Sequence, residues 1–299
     1  MSNDMVGIIL AGGNGSRLYP NTIATSKQLL PVYSCPLIYF PLTFLMKGDV
    51  KKFVVITNTE NVDSLRKLLK DGSQWGIEID IFPQENPNGL PEAYIISQEK
   101  IKDKNSILIL GDNIFYGCNI IDEIWEFNTR REAACLGVDF YNCKIFGYRV
   151  DDPKRYGVIE FDDDLNVFSI EEKPVNPKSN YAAVGLYMCD DTVVDRAKAL
   201  KPSKRGELEI TDLLNSYLDE SQLKTTLLER GTVWMDAGTK SSYVDAINFV
   251  EAIEKRTGQM IACPEEIAYQ NRFINTIQLE NIIAYLPKGE YRDYLVKLV

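Results

Sequence analysis

The segment VGIILAGGNGSR at residues 6–17 joins an apolar run to a glycine-rich turn. A short apolar run that ends in small residues predicts a buried β-strand opening into a tight loop. Small residues let several backbone N–H groups turn toward one bound anion, so such a loop suits a triphosphate. A bare glycine-rich turn is as often structural as functional, so this segment alone leaves both interpretations open.

Two common nucleotide-binding classes are not supported by this turn. It matches neither G-x-G-x-x-G, the dinucleotide fingerprint, nor G-x-x-x-x-G-K-[ST], the P-loop. A nicotinamide-dependent oxidoreductase is therefore disfavoured.

Strand-like and helix-like patterns alternate downstream of this segment. The strand-like runs lie at residues 53–57, 77–82 and 107–110, and the helix-like stretches at 36–47, 61–69 and 91–100. This alternation predicts an α/β fold with a Rossmann-like, doubly wound, mostly parallel sheet that binds ligands at the carboxyl ends of its strands.

The pattern changes after about residue 140. Closely spaced strand-like pieces at 145–150, 157–161 and 182–188 predict a mixed-sheet part, laid over the first half as the second wall of a cleft. From Ser241 onward, C-terminal helices are predicted by apolar residues at helical spacing: Val244, Ile247, Val250 and Ile253. We therefore expect a core at residues 1–240, with halves at about 1–140 and 141–240, and a helical segment at 241–299.

Composition narrows the classes of partner. The chain has 299 residues, of which 45% are hydrophobic, and a formal charge of −10, which argues against general binding to nucleic acid or an anionic membrane. No export leader precedes the apolar run that begins at Met5, and no apolar stretch of about 18 residues occurs, so we expect a cytoplasmic protein. Its scattered cysteines are expected to be reduced thiols: Cys35, Cys118, Cys135, Cys143, Cys189 and Cys263.

The sequence contains no histidine. This excludes Ser-His-Asp and Cys-His mechanisms, His-ligated zinc, and the commonest general base near neutral pH. The remaining chemistry must use carboxylates, lysine and arginine, and we expect a metal held by oxygen ligands.

The residues that follow the glycine-rich loop support a functional role for it. The run GGNGSRLYP at residues 12–20 is followed by KQLLPV at 27–32. Here the sequence resembles the nucleotidyltransferases that make sugar nucleotides, most closely the glucose-1-phosphate thymidylyltransferases. The resemblance spans nearly the whole chain through Gln84, Gly89-Leu90 and the motifs GDNIFYG (111–117), RYGV (155–158), EEKP (171–174), RGELEITD (205–212) and WMDAGT (234–239).

The resemblance implies roles for individual residues. The implied catalytic residues are Arg17, Lys27 and Asp112. The implied nucleotide-binding residues, in the half at 1–140, are Leu10, Gly12, Gly13, Gly15, Ser16, Arg17, Gln28, Gln84, Gly89 and Asp112. The implied sugar-phosphate-binding residues, in the half at 141–240, are Tyr156, Gly157, Glu172, Lys173 and Arg205. Asp112 and Asp236 would hold Mg²⁺.

The resemblance also implies a reaction and an assembly. dTTP and α-D-glucose 1-phosphate would give dTDP-glucose, a precursor of deoxysugars such as rhamnose, and pyrophosphate by Mg²⁺-dependent direct displacement, in a homotetramer. This chemistry depends mainly on positioning and charge neutralisation. The attacking phosphate is already anionic at neutral pH, since its second pKa is about 6. No general base is needed, which suits a chain without histidine.

Some alternatives stay open. Uridylyl or cytidylyl transfer is the nearest, because one methyl group discriminates by only about 1–3 kcal/mol. A non-catalytic nucleotide-sugar sensor is another, although the chain keeps Arg17, Lys27 and both aspartates. Two departures from the family pattern stand out: Pro91-Glu92 replaces a common Ala-Gln and adds a carboxylate, and Cys118 replaces a common histidine, which leaves feedback inhibition open.

Overall fold

The structure is a computed structural model that describes residues 4–117, 120–133 and 141–299. Its strands are β1 (Val6–Leu10), β2 (Pro31–Val32), β3 (Cys35–Pro36), β4 (Lys52–Asn58), β5 (Glu78–Gln84), β6 (Ser106–Leu110), β7 (Asn113–Tyr116), β8 (Cys143–Arg149), β9 (Gly157–Phe161), β10 (Val167–Glu172), β11 (Tyr181–Cys189), β12 (Leu223–Leu227) and β13 (Val233–Asp236). Its helices are α1 (Tyr39–Lys47), α2 (Val62–Leu69), α3 (Glu92–Ile96), α4 (Gln98–Ile101), α5 (Ile120–Ala133), α6 (Val193–Ala199), α7 (Ile210–Leu218), α8 (Lys240–Thr257), α9 (Pro264–Gln270), α10 (Thr276–Tyr285) and α11 (Glu290–Val296).

Four parallel strands form the first half of the main sheet, in the spatial order β6-β1-β4-β5. Alternate side chains enter two separate cores: Ile9 packs with helix α1 on one face, whereas Ile8 and Leu10 pack with helix α3 on the other. A sheet covered on both faces has near-continuous apolar strands, which is the pattern seen in VGIIL. The predicted doubly wound fold is confirmed.

The mixed strands continue the same sheet. Strand β11 pairs antiparallel with β6, and the order β10-β9-β11-β6-β1-β4-β5, with β8 and β12 joined beside β11, makes nine strands. The predicted mixed-sheet part is present, but it extends the parallel half edge to edge and does not lie over it. Pairing with β11 satisfies the backbone groups that β6 would otherwise leave unpaired at an open edge.

A short ribbon stands apart from the main sheet. Strand β7 follows β6 directly and pairs antiparallel with β13, so that Asn113 lies opposite Asp236. The N–H of Ala237 donates to the carbonyl of Asp112 over 2.9 Å at the end of this ribbon. Two segments far apart in sequence are thereby joined at one point.

The C-terminal helices pack against the first half of the chain. Helix α9 lies on α1, and Ile267, Leu279 and Leu295 belong to the same core cluster as Met5 and Ile9. The contact is close at Gly76, where a Cβ would lie 2.3 Å from the carbonyl oxygen of Phe273.

The apolar stripe predicted along α8 differs in detail. Val250 is fully buried as expected, but Val244 is 52% exposed, and Ala246 takes its place facing the core.

The described cysteines, Cys35, Cys143, Cys189 and Cys263, are buried free thiols. Cys118 and Cys135 lie outside the described residues. Among the helices that the structure describes, none is both long and apolar enough to span a membrane.

Candidate active site

The candidate site lies where the chain stops adding parallel strands on one side of β1 and adds the next one on its other side. From β1 the chain moves to β4 and β5 on one side, then returns to β6 on the other side. Ligands of doubly wound sheets bind in the crevice at such a switch point. The glycine-rich loop follows β1 and Asp112 follows β6, so both lie at this crevice.

A first cavity, of about 230 Å³, contains most of the predicted nucleotide-binding residues. Its lining is Leu10, Gly12, Gly13, Lys27, Gln28, Gln84, Pro87, Gly89, Leu90, Leu110, Asp112 and Glu207. Gln28 is 1% exposed, and its Oε1 has no hydrogen-bond partner among the described residues. A buried amide oxygen without a partner is costly, and a ligand donor that reached it would lower that cost.

Two glycines shape this cavity. Gly13 has φ 91°, and its N–H donates to the side chain of Asn58 over 3.1 Å, which fixes the turn after β1. Gly89 has φ 109°, and a Cβ on it would lie 2.0 Å from the carbonyl oxygen of Leu208. Only glycine fits there, so the nucleotide side and the loop before α7 can meet. Gly15 and Ser16 lie in the same loop as Gly13, but they line neither this cavity nor the larger one beside it.

A second cavity, of about 630 Å³, contains the predicted sugar-phosphate residues. Its lining includes Tyr156, Gly157, Glu172, Lys173 and Arg205, together with Arg17, Asp112 and Asp236. The two cavities share Leu90, Leu110, Asp112 and Glu207. They therefore meet at the carboxylate of Asp112.

Two carboxylates and one guanidinium converge at this junction. A Cβ placed on Gly238 would lie 3.2 Å from Nη2 of Arg17, 3.4 Å from Oδ2 of Asp236 and 3.6 Å from Oδ2 of Asp112. Burial, and then the nearby Asp112 charge, raise the pKa of Asp236. Asp236 is the last residue of β13, and Asp112 directly precedes its partner strand β7, so the pairing of Asn113 with Asp236 keeps the two carboxylates close together.

Asp112 behaves differently from Asp236. Burial opposes its ionisation, but the ion pair and hydrogen bond with Lys27 more than offset that effect, so the pKa of Asp112 lies below its usual range. Its Oδ1 also accepts a 2.9 Å hydrogen bond from Nδ2 of Asn113. This carboxylate is held ionised and fixed in direction.

The donor set fits a hard divalent cation. Two carboxylates that repel each other gain from a shared positive charge, and Mg²⁺ prefers oxygen ligands with phosphate and water completing its shell. No group of three acidic or cysteine side chains able to hold a metal exists among the described residues. Asp112 and Asp236 would therefore need substrate oxygens to complete a site.

The sugar side carries cations paired with carboxylates. Nη2 of Arg205 lies 2.6 Å from Glu209 and 3.7 Å from Glu172, and Nζ of Lys173 lies 2.9 Å from Glu172. The hydrogen bond to Glu209 raises the pKa of Arg205. Lys173 has φ 45°, which is costly for a residue with a Cβ, and its N–H donates to the carbonyl of Tyr156 over 3.0 Å. Strain held at a cavity wall is common in functional sites.

The sequence that forms these cavities matches a known protein family. A family profile described as "Nucleotidyl transferase" matches residues 6–253. The chain belongs to the nucleotidyl transferase family.

Relatives of this nucleotidyl transferase are similar over nearly their full length. The chain is 47% identical to the glucose-1-phosphate thymidylyltransferase of Xanthomonas campestris pv. campestris over 292 residues, covering 98% of this chain and 96% of that one. It is 46% identical to the Neisseria gonorrhoeae protein of the same name over 295 residues, covering 99% of each. The resemblance predicted from the sequence is confirmed.

A solved structure supports the fold. A Bacillus anthracis chain assigned as a glucose-1-phosphate thymidylyltransferase, solved in complex with a sucrose, superposes with a TM-score of 0.71 at 36% identity. The match covers 82% of this nucleotidyl transferase and 94% of that chain.

Sequence reasoning missed several residues of this nucleotidyl transferase site. Nε1 of Trp234 donates over 2.7 Å to Oδ1 of Asn113, whose own amide orients Asp112. Glu209 is buried and holds Arg205, and Arg155 lies 3.9 Å from Asp236. All of these residues lie in motifs that carry the family resemblance, and this was the only signal by which the sequence could have indicated them. Their roles depend on three-dimensional contacts that a sequence does not show.

Proposed function

We propose that the protein transfers a thymidylyl group from dTTP to α-D-glucose 1-phosphate, forming dTDP-glucose and pyrophosphate. The observation that carries this proposal is the pair of cavities that meet at Asp112. One presents amide groups suited to a base, and the other presents cations suited to a sugar phosphate. The relatives at 46–47% identity that bear the thymidylyltransferase name support the same choice.

The chain's residues suit a direct displacement. A sugar-phosphate oxygen would form a bond to the α-phosphorus of the triphosphate as the bond from that phosphorus to the leaving pyrophosphate breaks. Lys173 and Arg205 would hold the sugar phosphate, and Arg17 and Lys27 would neutralise charge on the triphosphate. The attacking oxygen is anionic at neutral pH, so no residue has to remove a proton.

Asp112 and Asp236 would hold Mg²⁺. When bound, the ion would offset the negative charge of the triphosphate and of the leaving pyrophosphate. Lys27 is paired with Asp112 in this structure, so we infer that this lysine turns toward the phosphates when the carboxylate takes a new partner.

We expect dTTP to be used better than UTP, and both far better than ATP or GTP. The base cavity of about 230 Å³ is smaller than the ~300–1,000 Å³ typical of ligand pockets, which suits a pyrimidine and leaves little room for a purine. Competition assays that measure kcat/KM for each triphosphate with glucose 1-phosphate test this. Equal use of ATP would contradict the thymidylyl assignment.

We expect Lys173→Ala to act mainly on sugar-phosphate binding. Loss of a charged hydrogen bond costs about 1.5–3 kcal/mol, so KM for glucose 1-phosphate should rise about 10- to 100-fold. The KM for dTTP should stay near the wild-type value, and kcat should fall less than KM rises. Steady-state kinetics with each substrate varied in turn measure both.

Lys178→Ala is the matched control for Lys173→Ala. Lys178 is also a half-exposed lysine on this side of the chain, and it pairs with Glu160 over 2.7 Å outside the cavity lining. Its loss should leave both KM values unchanged. If Lys173→Ala impaired dTTP binding and spared glucose 1-phosphate, the two cavities would have been assigned in the wrong order.

The alternatives differ in their products. Uridylyl or cytidylyl transfer would release pyrophosphate from UTP or CTP in preference to dTTP, and a sensor would release none. Incubation of the protein with each triphosphate, glucose 1-phosphate and Mg²⁺, followed by measurement of pyrophosphate, separates these cases. The presence of Arg17, Lys27, Asp112 and Asp236 at one junction favours the enzyme over the sensor.

The homotetramer, the cytoplasmic location and the division at residues 140 and 240 stay predictions. Light scattering of the purified protein tests the first, and fractionation of cells that express it tests the second. The shared core of α9 and α1 bears on the third, because it ties residues 241–299 to the first half of the chain.

A further inference from the structure

The amide of Gln84 is held in one orientation by a residue outside the cavity. Its Nε2 donates to Oε2 of Glu92 over 2.6 Å. The other carboxylate oxygen, Oε1, accepts from Nδ2 of Asn88 over 2.7 Å. Glu92 is the first residue of α3 and is not among the residues that line the base cavity, whereas Gln84 is buried and lines it.

The chemistry of the carboxylate decides which way this amide faces. An ionised carboxylate only accepts hydrogen bonds, whereas a glutamine amide both donates and accepts. Glu92 must therefore receive the NH₂ group of Gln84. The carbonyl oxygen is left on the opposite side, where it lies 2.7 Å from the position a Cβ on Gly12 would occupy, at the cavity wall.

Gln28 lines the same cavity, but its Oε1 is itself buried and has no hydrogen-bond partner among the described residues. The acceptor at the cavity wall that an entering base would meet is therefore the Gln84 carbonyl. Thymine and uracil carry a donor, N3–H, on their pairing edge, but cytosine carries an acceptor at the same atom.

We propose that Glu92 is a positioning residue that turns the Gln84 carbonyl toward the base and so selects pyrimidines with an N3–H over cytosine. The inference rests on the proposed function, and it concerns a carboxylate at a position where the family pattern commonly has glutamine. A glutamine there could either donate or accept, so it would leave the Gln84 amide free to turn over. The additional charge of Glu92 removes that freedom.

The test uses two substitutions and a matched control in the full-length protein. Glu92→Met keeps the length of the side chain and the helix but removes the carboxylate acceptor. Glu92→Gln keeps one acceptor and adds a donor. Glu99→Gln makes the same charge change at an exposed residue of the neighbouring helix α4. The measured quantity is the ratio of kcat/KM for dTTP to kcat/KM for dCTP, with glucose 1-phosphate and Mg²⁺ saturating.

We expect Glu92→Met to lower this ratio about 10- to 100-fold. Once the Gln84 amide can turn over, the hydrogen bond to N3–H of thymine is replaced by contact between two donors, and such a loss has about this effect. Glu92→Gln should lower it less, and Glu99→Gln should leave it unchanged. The dTTP rate should fall and the dCTP rate should rise, a pattern that general loss of structure would not produce. If Glu92→Met fails to fold, as judged by its thermal melting, Glu92→Gln alone provides the test.

Two results would overturn the inference. One is a folded Glu92 variant whose dTTP-to-dCTP ratio stays at the wild-type value. The other is a wild-type protein that uses dCTP as readily as dTTP. A wild-type protein that uses no pyrimidine triphosphate would instead contradict the proposed function itself, so the two failures are distinguishable.

Discussion

Asp236→Asn is expected to lower kcat/KM about 10³-fold or more while the ligand-free protein stays as stable as the wild type. A metal ligand contributes several kcal/mol to transition-state charge stabilisation, and about 4 kcal/mol corresponds to about 10³-fold in rate. Stability should not fall, because burial and Asp112 raise the pKa of Asp236 and make its ionised form costly in the fold.

The sign of the stability effect follows from the raised pKa. The fold prefers the protonated form of Asp236, so this group's contribution is present at low pH and is lost as pH rises through its folded pKa. Asparagine cannot ionise and escapes that loss at neutral pH. Thermal melting without Mg²⁺ and pyrophosphate release with Mg²⁺ measure the two effects separately.

Two comparisons sharpen the Asp236 test. Asp245→Asn changes an exposed carboxylate of α8 and should alter neither property. Asp112→Asn should lose activity to a similar degree but should also destabilise the protein by about 3 kcal/mol, because it leaves the mostly buried Lys27 without its ion-pair partner. An Asp236→Asn variant with wild-type rates at limiting Mg²⁺ would show that Asp236 holds no metal.

Arg17→Ala is expected to lower kcat about 10³-fold or more, within the range seen for cations that stabilise phosphoryl transfer. Nη2 of Arg17 lies at the junction of the two cavities beside Asp112 and Asp236, where charge would move toward the leaving pyrophosphate. An interaction that strengthens in the transition state appears in kcat, whereas uniform binding appears only in KM. The side chain is exposed, so folding should be unaffected.

The control for Arg17 is Arg66→Ala. Arg66 is an exposed arginine of α2 that pairs with Asp63 over 3.2 Å, away from both cavities. Its removal should leave kcat unchanged. Steady-state kinetics at saturating dTTP and glucose 1-phosphate are the measurement, and a decrease confined to KM would place Arg17 in ground-state binding only.

The parallel half of the fold could be predicted because strands buried on both faces of a sheet appear in the sequence as short, continuous apolar runs. The run VGIIL was expected to be a strand at residues 6–10, and β1 has those bounds. The helix expected at 91–100 is instead split into α3 and α4 at Ser97, whose hydroxyl donates to the carbonyl of Ala93 over 2.7 Å. Side-chain competition of this kind is local and has no periodic signature.

Long-range pairing was harder to predict. The β7·β13 ribbon brings Asn113 opposite Asp236, although the two residues are far apart in sequence. No sequence pattern in either strand indicates which other strand it pairs with. The site residues were proposed from motif resemblance, which supplies identities but no contacts. The link from Trp234 through Asn113 to Asp112, and the hold of Glu92 on Gln84, became visible only in three dimensions.

The packing of α9 on α1 has a consequence for how the protein is made. Domains generally fold as units from the N-terminus while the ribosome is still adding residues. Here the core around Met5 and Ile9 is completed by Ile267, Leu279 and Leu295, which are synthesised long after them. The first half of the nascent chain therefore carries an uncovered apolar face until these later helices have been made, and we expect newly made chains to depend on chaperones during that interval.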